Sequence, residues 1–514
     1  MKLSKLLRGI VPTLRLADKN IEIKGLSHNS KTVAAGDLYF ALRDNTFVAE
    51  AISNGAVAVV TNKNCEGIPC VVVQNVRETM ALAAKRFYKV ADRIKIFGIV
   101  GTNGKTTTSY ILKHILEVAT NKPVGIIGTI TNTLTTPDPI DLHKILFEMY
   151  KNGIRSVVME VSAHAIYYHK VAGIKWAGVI FTNITQDHLD FFGSFEKYKN
   201  TKISFFNNPT LRLAAVNADD EYGAEILANI PKNVKTVTYS CNADADFTAD
   251  DIKFGLKPVK HMGGGKDADF TADNIKLGIN GSDFTLNIQK NSQTHKVHIP
   301  ICGKFNVYNA LSAIAIATKY GIKWNKINKA LSTIPQVMGR FNTYTINGIT
   351  VIIDYAHTPD GLTKILTAGR EMLNGDAKLI CVFGCGGDRD RTKRGRMGQI
   401  SVALADHTII TSDNPRTEDP DEIIAEIERG IITQGISSVV DNILEITPAK
   451  YVKITDRKEA TQYALTQAKA GDIIVIAGKG HENYMDINGE KLPYSDAETV
   501  KNWIATHTMK TGEN

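Results

Sequence analysis

The sequence predicts an α/β protein of three domains. Its 514 residues exceed what one hydrophobic core organises, and at roughly 150 residues per domain they divide into about three. Short β-branched apolar runs recur along the chain with helical stretches between them, the alternation of a parallel sheet covered by helices. That alternation comes in two separate series, each with the pattern of a doubly wound sheet, after a first stretch of different texture.

Residues 1–92 form the first stretch, where GDLYFAL and AVAVVTN read as short strands and Val76–Val90 as a helix. The N-terminal MKLSKLLRGIVPTLRLADKN has a basic start but no continuous apolar run, so it reads as a short amphipathic helix and not a signal peptide. The second series, in 93–337, holds the strands IKIFGIV (94–100), VVMEV (157–161), GVIFTN (178–183) and LAAVN (213–217), with helical spacing over Thr106–Ala119. The third, in 338–514, holds ITVIIDY (349–355), KLICVFG (378–384), HTIITSD (407–413) and DIIVIAGKG (472–480), with helices over Asp421–Gly430 and Arg457–Ala470. The segment Ile334–Arg340, with Pro335 and Gly339, separates the last two.

Composition narrows the function classes. Hydrophobic residues make up 43% and charged residues 22%, as in an ordinary soluble globular protein. The formal charge of +8 is modest for this length and has no dense Lys/Arg run, so it favours an anionic small substrate over nucleic acid. No stretch approaches the ~18 apolar residues that span a bilayer. The six cysteines are scattered, and Cys381 and Cys385 have no second pair to complete a zinc pattern. Buried free thiols in a reducing cytoplasm are the expectation.

One segment is duplicated: DADFTADDIKFG (244–255) recurs as DADFTADNIKLG (267–278). Two copies do not make a solenoid. The basic, Gly-rich spacer KPVKHMGGGK suggests a tandem copy that lengthens a surface excursion, and the copies lack the Gly and distal Glu of a calcium loop.

Chemistry concentrates at the ends of the predicted strands. GTNGKTTT (101–108) follows IKIFGIV and opens a helix, a tight G-x-x-G-K-T phosphate loop. Backbone N–H groups in such a turn converge on phosphate oxygens, and the helix N-terminus favours their charge. Lys105 would reach the outer phosphates and the Thr106 hydroxyl would ligate Mg²⁺. MEVSAH (159–164) places Glu160 at the carboxyl edge of the sheet, where ligands bind. FTNITQDHLDFFG (181–193) supplies Asn183, Asp187, His188 and Asp190 at a neighbouring strand end. Thr106, Glu160 and His188 are a plausible oxygen/nitrogen set for Mg²⁺ beside a nucleotide.

Together GTNGKTT, MEVSAHA, FTNITQDHLD and YKNTK resemble the Mur ligase family, and the resemblance extends over nearly the whole chain. NSKTVAAGDLYFAL (29–42) is similar to the family's UDP-binding module, and VNADD (216–220) and GKFNVYNALSA (303–313) to later parts of its ATPase domain. MGRFN (338–342), DYAHTPDGL (354–362), GCGGDRDRTKR (384–394), DNPRTEDP (413–420) and AGKGHENY (477–484) are similar to its C-terminal, Rossmann-like domain. The last four most resemble the branch that adds the third amino acid of the peptidoglycan stem. The resemblance implies a P-loop central ATPase domain and an ATP- and Mg²⁺-dependent ligation of meso-diaminopimelate to the D-glutamyl γ-carboxylate of UDP-N-acetylmuramoyl-L-alanyl-D-glutamate. It implies a cytoplasmic enzyme, expected as a monomer, without nucleic acid or membrane insertion.

Residue by residue, the resemblance assigns ATP phosphates to Gly101, Thr102, Asn103, Gly104, Lys105, Thr106 and Thr107. Asn309, Arg340, Asp354 and His357 match positions around the nucleotide. Thr106, Glu160, His188 and Lys202 would hold magnesium, Lys202 matching a lysine that this family carbamylates. Lys105, Lys202 and His188 are the catalytic candidates. Thr135, Thr136, Ser162 and Lys170 match the muramoyl-peptide site, and Ser30 the uridine site. Arg389, Asp413, Asn414, Arg416, Gly478 and Glu482 match the diaminopimelate pocket.

The chain departs from the family pattern in four places. Tyr168 and Lys170 stand where Gln and Arg are usual, Leu134 stands where Asn is common, and 41–52 lacks an Asp-Gly-His loop. An L-lysine-adding ligase of the same step and a folate- or poly-amino-acid-type ligase are the enzymatic alternatives. A nucleotide switch without ligase chemistry is the third, and it predicts no need for Lys202 or a C-terminal carboxylate pocket.

Overall fold

The computed structural model describes residues 1–11, 20–65, 68–241, 268–433 and 451–508. Three large sheets and one two-stranded sheet organise them. The first is all parallel, in the order β1 (Gly25–Ser27), β2 (Asp37–Phe40), β3 (Ala56–Thr61), β4 (Cys70–Val72). Helices α1 (Leu3–Leu7), α2 (Val48–Ser53) and α3 (Val76–Tyr88) accompany it. The Asn75 side chain caps α3 by accepting from the Glu78 N–H, and Lys89 at φ 60° ends the helix. The predicted N-terminal helix is short, since α1 ends at Leu7, and 12–19 lie outside the described residues.

The second unit runs β5 (Lys95–Val100), α4 (Lys105–Thr120), β6 (Gly125–Ile127), α5 (Pro139–Lys151), β7 (Ser156–Val161), α6 (Ala163–Tyr167) and β8 (Trp176–Phe181). It continues through α7 (Leu189–Phe192), α8 (Phe195–Ser204), β9 (Leu213–Asn217), α9 (Gly223–Asn229) and β10 (Lys235–Ser240). After the gap come β11 (Phe270–Gly278), β12 (Gly281–Ile288), β13 (Gln293–Ile299), α10 (Lys304–Tyr320) and α11 (Trp324–Leu331). The nine strands lie in the order β13-β12-β11-β10-β9-β8-β5-β7-β6. From β5 the chain goes to one side for β6 and β7, then crosses to β8. The phosphate-loop segment therefore leaves the sheet at a topological switch point, where the carboxyl ends of β5, β7 and β8 open a crevice. The sheet is not wholly parallel: β12 and β13 form an antiparallel hairpin at one edge, which period-2 runs of mixed polarity did not announce. Residues Ile111, Leu112, Ile115 and Leu116 on α4 and the run Ala310–Ala317 on α10 are buried against one face of it.

The duplicated segment requires a correction. Its second copy is not a surface excursion: it is β11, paired parallel to β10 and antiparallel to β12, with Phe270 and Ala272 buried in the core. The first copy and spacer lie outside the described residues. Asn274 sits at φ 52° in a bulge between Asp273 and Lys276, a conformation that Asn and Asp tolerate best. Removing Lys253–Ile275 would leave DADFTADDIKLG, which differs from the β11 sequence only by Asp for Asn274. That deletion is expected to be soluble and active, with a melting temperature within about 4 °C of the parent. An insoluble product, or loss of activity in a folded one, would sink this expectation.

The third unit runs β14 (Asn342–Ile346), β15 (Ile349–Asp354), α12 (Pro359–Glu371), β16 (Leu379–Phe383), α13 (Lys393–Leu404), β17 (His407–Ile410) and α14 (Pro420–Thr433). It continues through β18 (Tyr451–Lys453), α15 (Arg457–Gln467), β19 (Ile473–Ala477), the hairpin β20 (Tyr484–Ile487) and β21 (Glu490–Pro493), and α16 (Asp496–Thr508). Its sheet order is β14-β15-β19-β16-β17-β18, parallel except for β14 at the edge. A buried ion pair, Arg457 with both carboxylate oxygens of Asp496 at 2.9 Å, pins α15 to the start of α16. No helix among the described residues is long and apolar enough to cross a membrane. Cys241, Cys302, Cys381 and Cys385 are buried free thiols, whereas Cys65 and Cys70 are only half-buried.

Candidate functional site

The tight turn after β5 exists because Gly104 takes φ 83°, and a side chain there would also run into the Asn309 amide. Asn309 accepts from the Thr108 hydroxyl at 3.2 Å, so α10 braces the phosphate loop from behind. Asn183, at the end of β8, accepts from the Asn103 N–H at 2.9 Å and returns a bond to the Asn103 carbonyl at 3.1 Å. Lys105 folds back over the loop and donates to the carbonyls of Gly101 and Thr102 at 3.0 and 2.8 Å. Burial lowers its pKa, with Glu160 and Asp187 opposing. The side chain is thus desolvated and coiled over the nest that an anion would fill. Thr107 is buried on the first turn of α4.

Two polar groups hang from the ends of this loop. At one end, Thr106 donates to Glu160 Oε2 at 3.0 Å, and Thr129 supplies its N–H and hydroxyl to the same carboxylate at 3.1 Å each. Glu160 is 1% exposed, so these bonds support a buried anion. At the other end, Thr102 meets the Tyr198 hydroxyl at 3.0 Å, and Lys202 donates to both, at 2.9 Å to Thr102. Lys202 is 1% exposed. Burial, and then the charge of Lys105, push its pKa well below the usual lysine value, so a neutral amine is favoured there. His188, at φ 53°, lies beside Asp187 at 3.5 Å, and burial lowers its pKa. Among the described residues no three His, Cys, Asp or Glu side chains converge to hold a metal by themselves. The hard oxygens of Glu160 and Thr106 fit magnesium, and the buried amine fits it only once converted to an anion.

The muramoyl-peptide candidates form one strip beside Glu160. Thr135 bonds Thr129 at 3.0 Å, and Thr136 donates to the Glu160 carbonyl at 2.9 Å while accepting from the Ser162 N–H. Ser162 caps α6. Lys170 is not free: it pairs with Asp138 at 3.0 Å, and His28 of the first unit approaches the same carboxylate at 3.8 Å. Tyr168, the other departure, lies under the Arg77 guanidinium, 4.2 Å from ring centroid. Tyr168 thus touches the first unit directly, and Lys170 shares the Asp138 carboxylate with it. Ser30 donates to Glu50 within the first unit. Leu134 is exposed.

The third unit reaches the phosphate loop through Arg340 and Asp360. Arg340 stacks on Tyr355, 4.6 Å from its centroid, and donates to the Thr106 hydroxyl at 3.1 Å. Asp360 accepts from Asn103 at 2.6 Å and from Lys364 at 2.8 Å. His357 bonds the Tyr355 carbonyl, and burial together with Lys393 lowers its pKa to about 4. Asp354 is spent on the fold: it accepts from the Phe341 N–H at 2.8 Å, and burial raises its pKa. Gly339 and Gly480, both at positive φ, bring two backbones into contact, and a Cβ on Gly480 would sit 2.7 Å from the Gly339 oxygen.

The remaining candidates gather at the carboxyl ends of β16, β17 and β19. Asn414 donates to Glu482 Oε2 at 2.8 Å, and Asp413 accepts from the Asn414 N–H at 2.7 Å. A Cβ on Gly478 would touch Asp413. A Cβ on Gly386 would lie 3.0 Å from Arg416 Nη1, whereas Arg389 comes near it only with its Cγ at 3.8 Å; Arg389 is exposed and donates to the Asp388 carbonyl at 3.0 Å. Arg416, at φ 53°, donates to the Gly387 carbonyl at 2.6 Å and approaches Asp486 at 3.7 Å. Neither Glu418 nor Asp419 partners it: Glu418 pairs with Arg394.

Comparison with known proteins places these features. Residues 99–317 match the Mur ligase middle domain, and 339–480 match the Mur ligase, glutamate ligase domain. A UDP-N-acetylmuramoyl-L-alanyl-D-glutamate--2,6-diaminopimelate ligase of Clostridium tetani is 36% identical, covering 98% of this chain and 99% of its own. A solved structure of a ligase of that name has 28% identity and a TM-score of 0.67, covering 99% of both chains. A MurF ligase from Thermotoga maritima in complex with ADP shares the fold at a TM-score of 0.60, with 18% identity, covering 95% of this chain and 98% of its own.

Proposed function

The chain belongs to the Mur ligase family, and from that membership we propose that it is the ligase joining meso-diaminopimelate to UDP-N-acetylmuramoyl-L-alanyl-D-glutamate at the expense of ATP. The observation that supports this reading is the pairing of two sites: a phosphate loop with the half-buried Lys105 and the buried Lys202 on one sheet, and a pocket of mixed charge at the carboxyl ends of the next.

The phosphate loop binds ATP, and Lys105 swings from its own loop carbonyls onto the transferring phosphoryl group. The D-glutamyl γ-carboxylate, held along Thr135, Thr136 and Ser162, attacks the γ-phosphorus; the bond to the bridging oxygen breaks, ADP leaves, and the carboxylate becomes an acyl phosphate. The amine of diaminopimelate then attacks the acyl carbon, and phosphate leaves as the amide forms. Thr106, Glu160, His188 and a carbamylated Lys202 would hold Mg²⁺, which supplies positive charge opposite the phosphates when bound. Positioning and electrostatics do most of the work, because the two reacting ends are delivered by different domains.

In the pocket, Arg416, with Arg389 beside it, meets the distal carboxylate of diaminopimelate, and Glu482 with Asn414 meets the distal ammonium. L-Lysine lacks that carboxylate. Phosphate release with the UDP-muramoyl dipeptide is expected to be about 10²-fold or more faster with meso-diaminopimelate than with L-lysine, in kcat/KM. Arg416→Ala is expected to collapse the ratio. Equal use of L-lysine by the parent would overturn the pocket assignment, and phosphate release with glutamate on a folate substrate would overturn the whole reading.

A further inference from the structure

A buried lysine in the amino-acid pocket has no role in the scheme above. Lys479 stands between Gly478 and Gly480 after β19 and is 0% exposed. Its ammonium donates to Asn414 Oδ1 at 2.9 Å and to Glu482 Oε2 at 3.1 Å, and lies 5.6 Å from the Tyr484 ring centroid. The Asn414 oxygen also accepts the Asp486 N–H at 2.9 Å. The groups assigned to the substrate's ammonium thus already hold one ammonium of the protein's own.

We propose that Lys479 is a specificity-determining residue: it balances the pocket's charge so that only a substrate end that is itself neutral overall, a paired ammonium and carboxylate, is accepted. The proposal rests on the pocket assigned above. Two ion pairs line the pocket, Arg416 with Asp486 at 3.7 Å and Lys479 with Glu482 at 3.1 Å, each neutral as a pair, while Asp413 and Arg457 both lie beside Gly478 and Arg389 is exposed. Arg416 has Asp486 as neighbour, and Glu482 has Lys479, so neither is waiting for a single counter-charge. A zwitterionic end leaves the balance intact while adding two charge-assisted bonds. A lone ammonium, as in L-lysine, or a lone carboxylate, as in 2-aminopimelate, leaves one charge uncompensated in a half-buried site. Without the Lys479 ammonium, the pocket would carry a net negative charge. It should then move toward lysine and away from 2-aminopimelate.

The test is ligation by the full-length enzyme with meso-diaminopimelate, L-lysine and 2-aminopimelate, in the parent, Lys479→Met, Lys479→Gln and Lys479→Arg. In the Met and Gln variants the lysine-to-aminopimelate ratio of kcat/KM is expected to rise at least about 10-fold, from the loss of one nearby unit charge. The Arg variant, which keeps the charge, is expected to hold the ratio within about 3-fold. A merely structural lysine would lower all three substrates by one common factor, and that result overturns the proposal. The parent enzyme tests it without any variant: the two singly charged substrates should fall within about 10-fold of each other, and a strong preference for lysine over 2-aminopimelate overturns it. Arg416→Ala is measured alongside. If its ratio of diaminopimelate to lysine stays at the parental value, it is the pocket assignment that fails and not the role of Lys479 alone.

Discussion

Lys105→Ala is expected to fold like the parent and to ligate at least about 10³-fold more slowly. The Lys105 ammonium is bonded only to two carbonyls of its own loop, Gly101 and Thr102, and the loop is separately braced by Asn183 and Asn309. Loss of the amine therefore leaves the turn in place. What disappears is a desolvated cation positioned where the outer phosphates arrive, which is worth most where water is excluded. Circular dichroism and melting temperature should match the parent, while coupled phosphate release falls. Near-parental turnover in a folded variant would remove the loop from the chemistry.

Lys202→Ala should lose at least about 10²-fold in activity, as expected when a metal-supporting group is removed. Part of the loss should return on adding formate or acetate. The reason lies in the environment of the amine. Burial and the nearby charge of Lys105 disfavour an ammonium there, and a neutral amine is the form that attacks CO₂. The carbamate formed is an anion, with oxygens in place of the nitrogen's lone pair, on the Thr102 side of the loop. A small carboxylate can enter the space left by the shortened side chain and offer similar oxygens. Labelling with ¹³C-bicarbonate should give a carbamate NMR signal that the variant lacks. A fully active parent preparation with no such signal would end the idea.

Much of this site could be read along the chain because its chemistry is local. The phosphate loop and Glu160 each fall at the end of a β-branched run, where spacing is informative, whereas Lys202, in the last turn of α8, is legible only through the resemblance of YKNTK to the family. Their partners are not local. Asn103 meets Asp360 across 257 positions, and Arg340 meets Thr106 across 234. Thr129, Asp138 and Asp486 carry no motif, and only the packing of separate elements brings them to the site. Lys479 lay inside the quoted AGKGHENY, yet a lysine between glycines reads as surface. The duplicated strand misled for a different reason. A polar, Asp-rich repeat looks solvated, but its alternate residues Phe270 and Ala272 are enough to bury one face.

The contact between Gly339 and Gly480 has a mechanical meaning. One of these glycines precedes Arg340, which grips the phosphate loop; the other follows Lys479, which lines the amino-acid pocket. Where two main chains touch with no side chain between them, there is no rotamer to flex and absorb a displacement. The turn before Arg340 and the turn after Lys479 therefore move together. A shift of the turn that carries Arg340 must be felt at the backbone that carries Lys479.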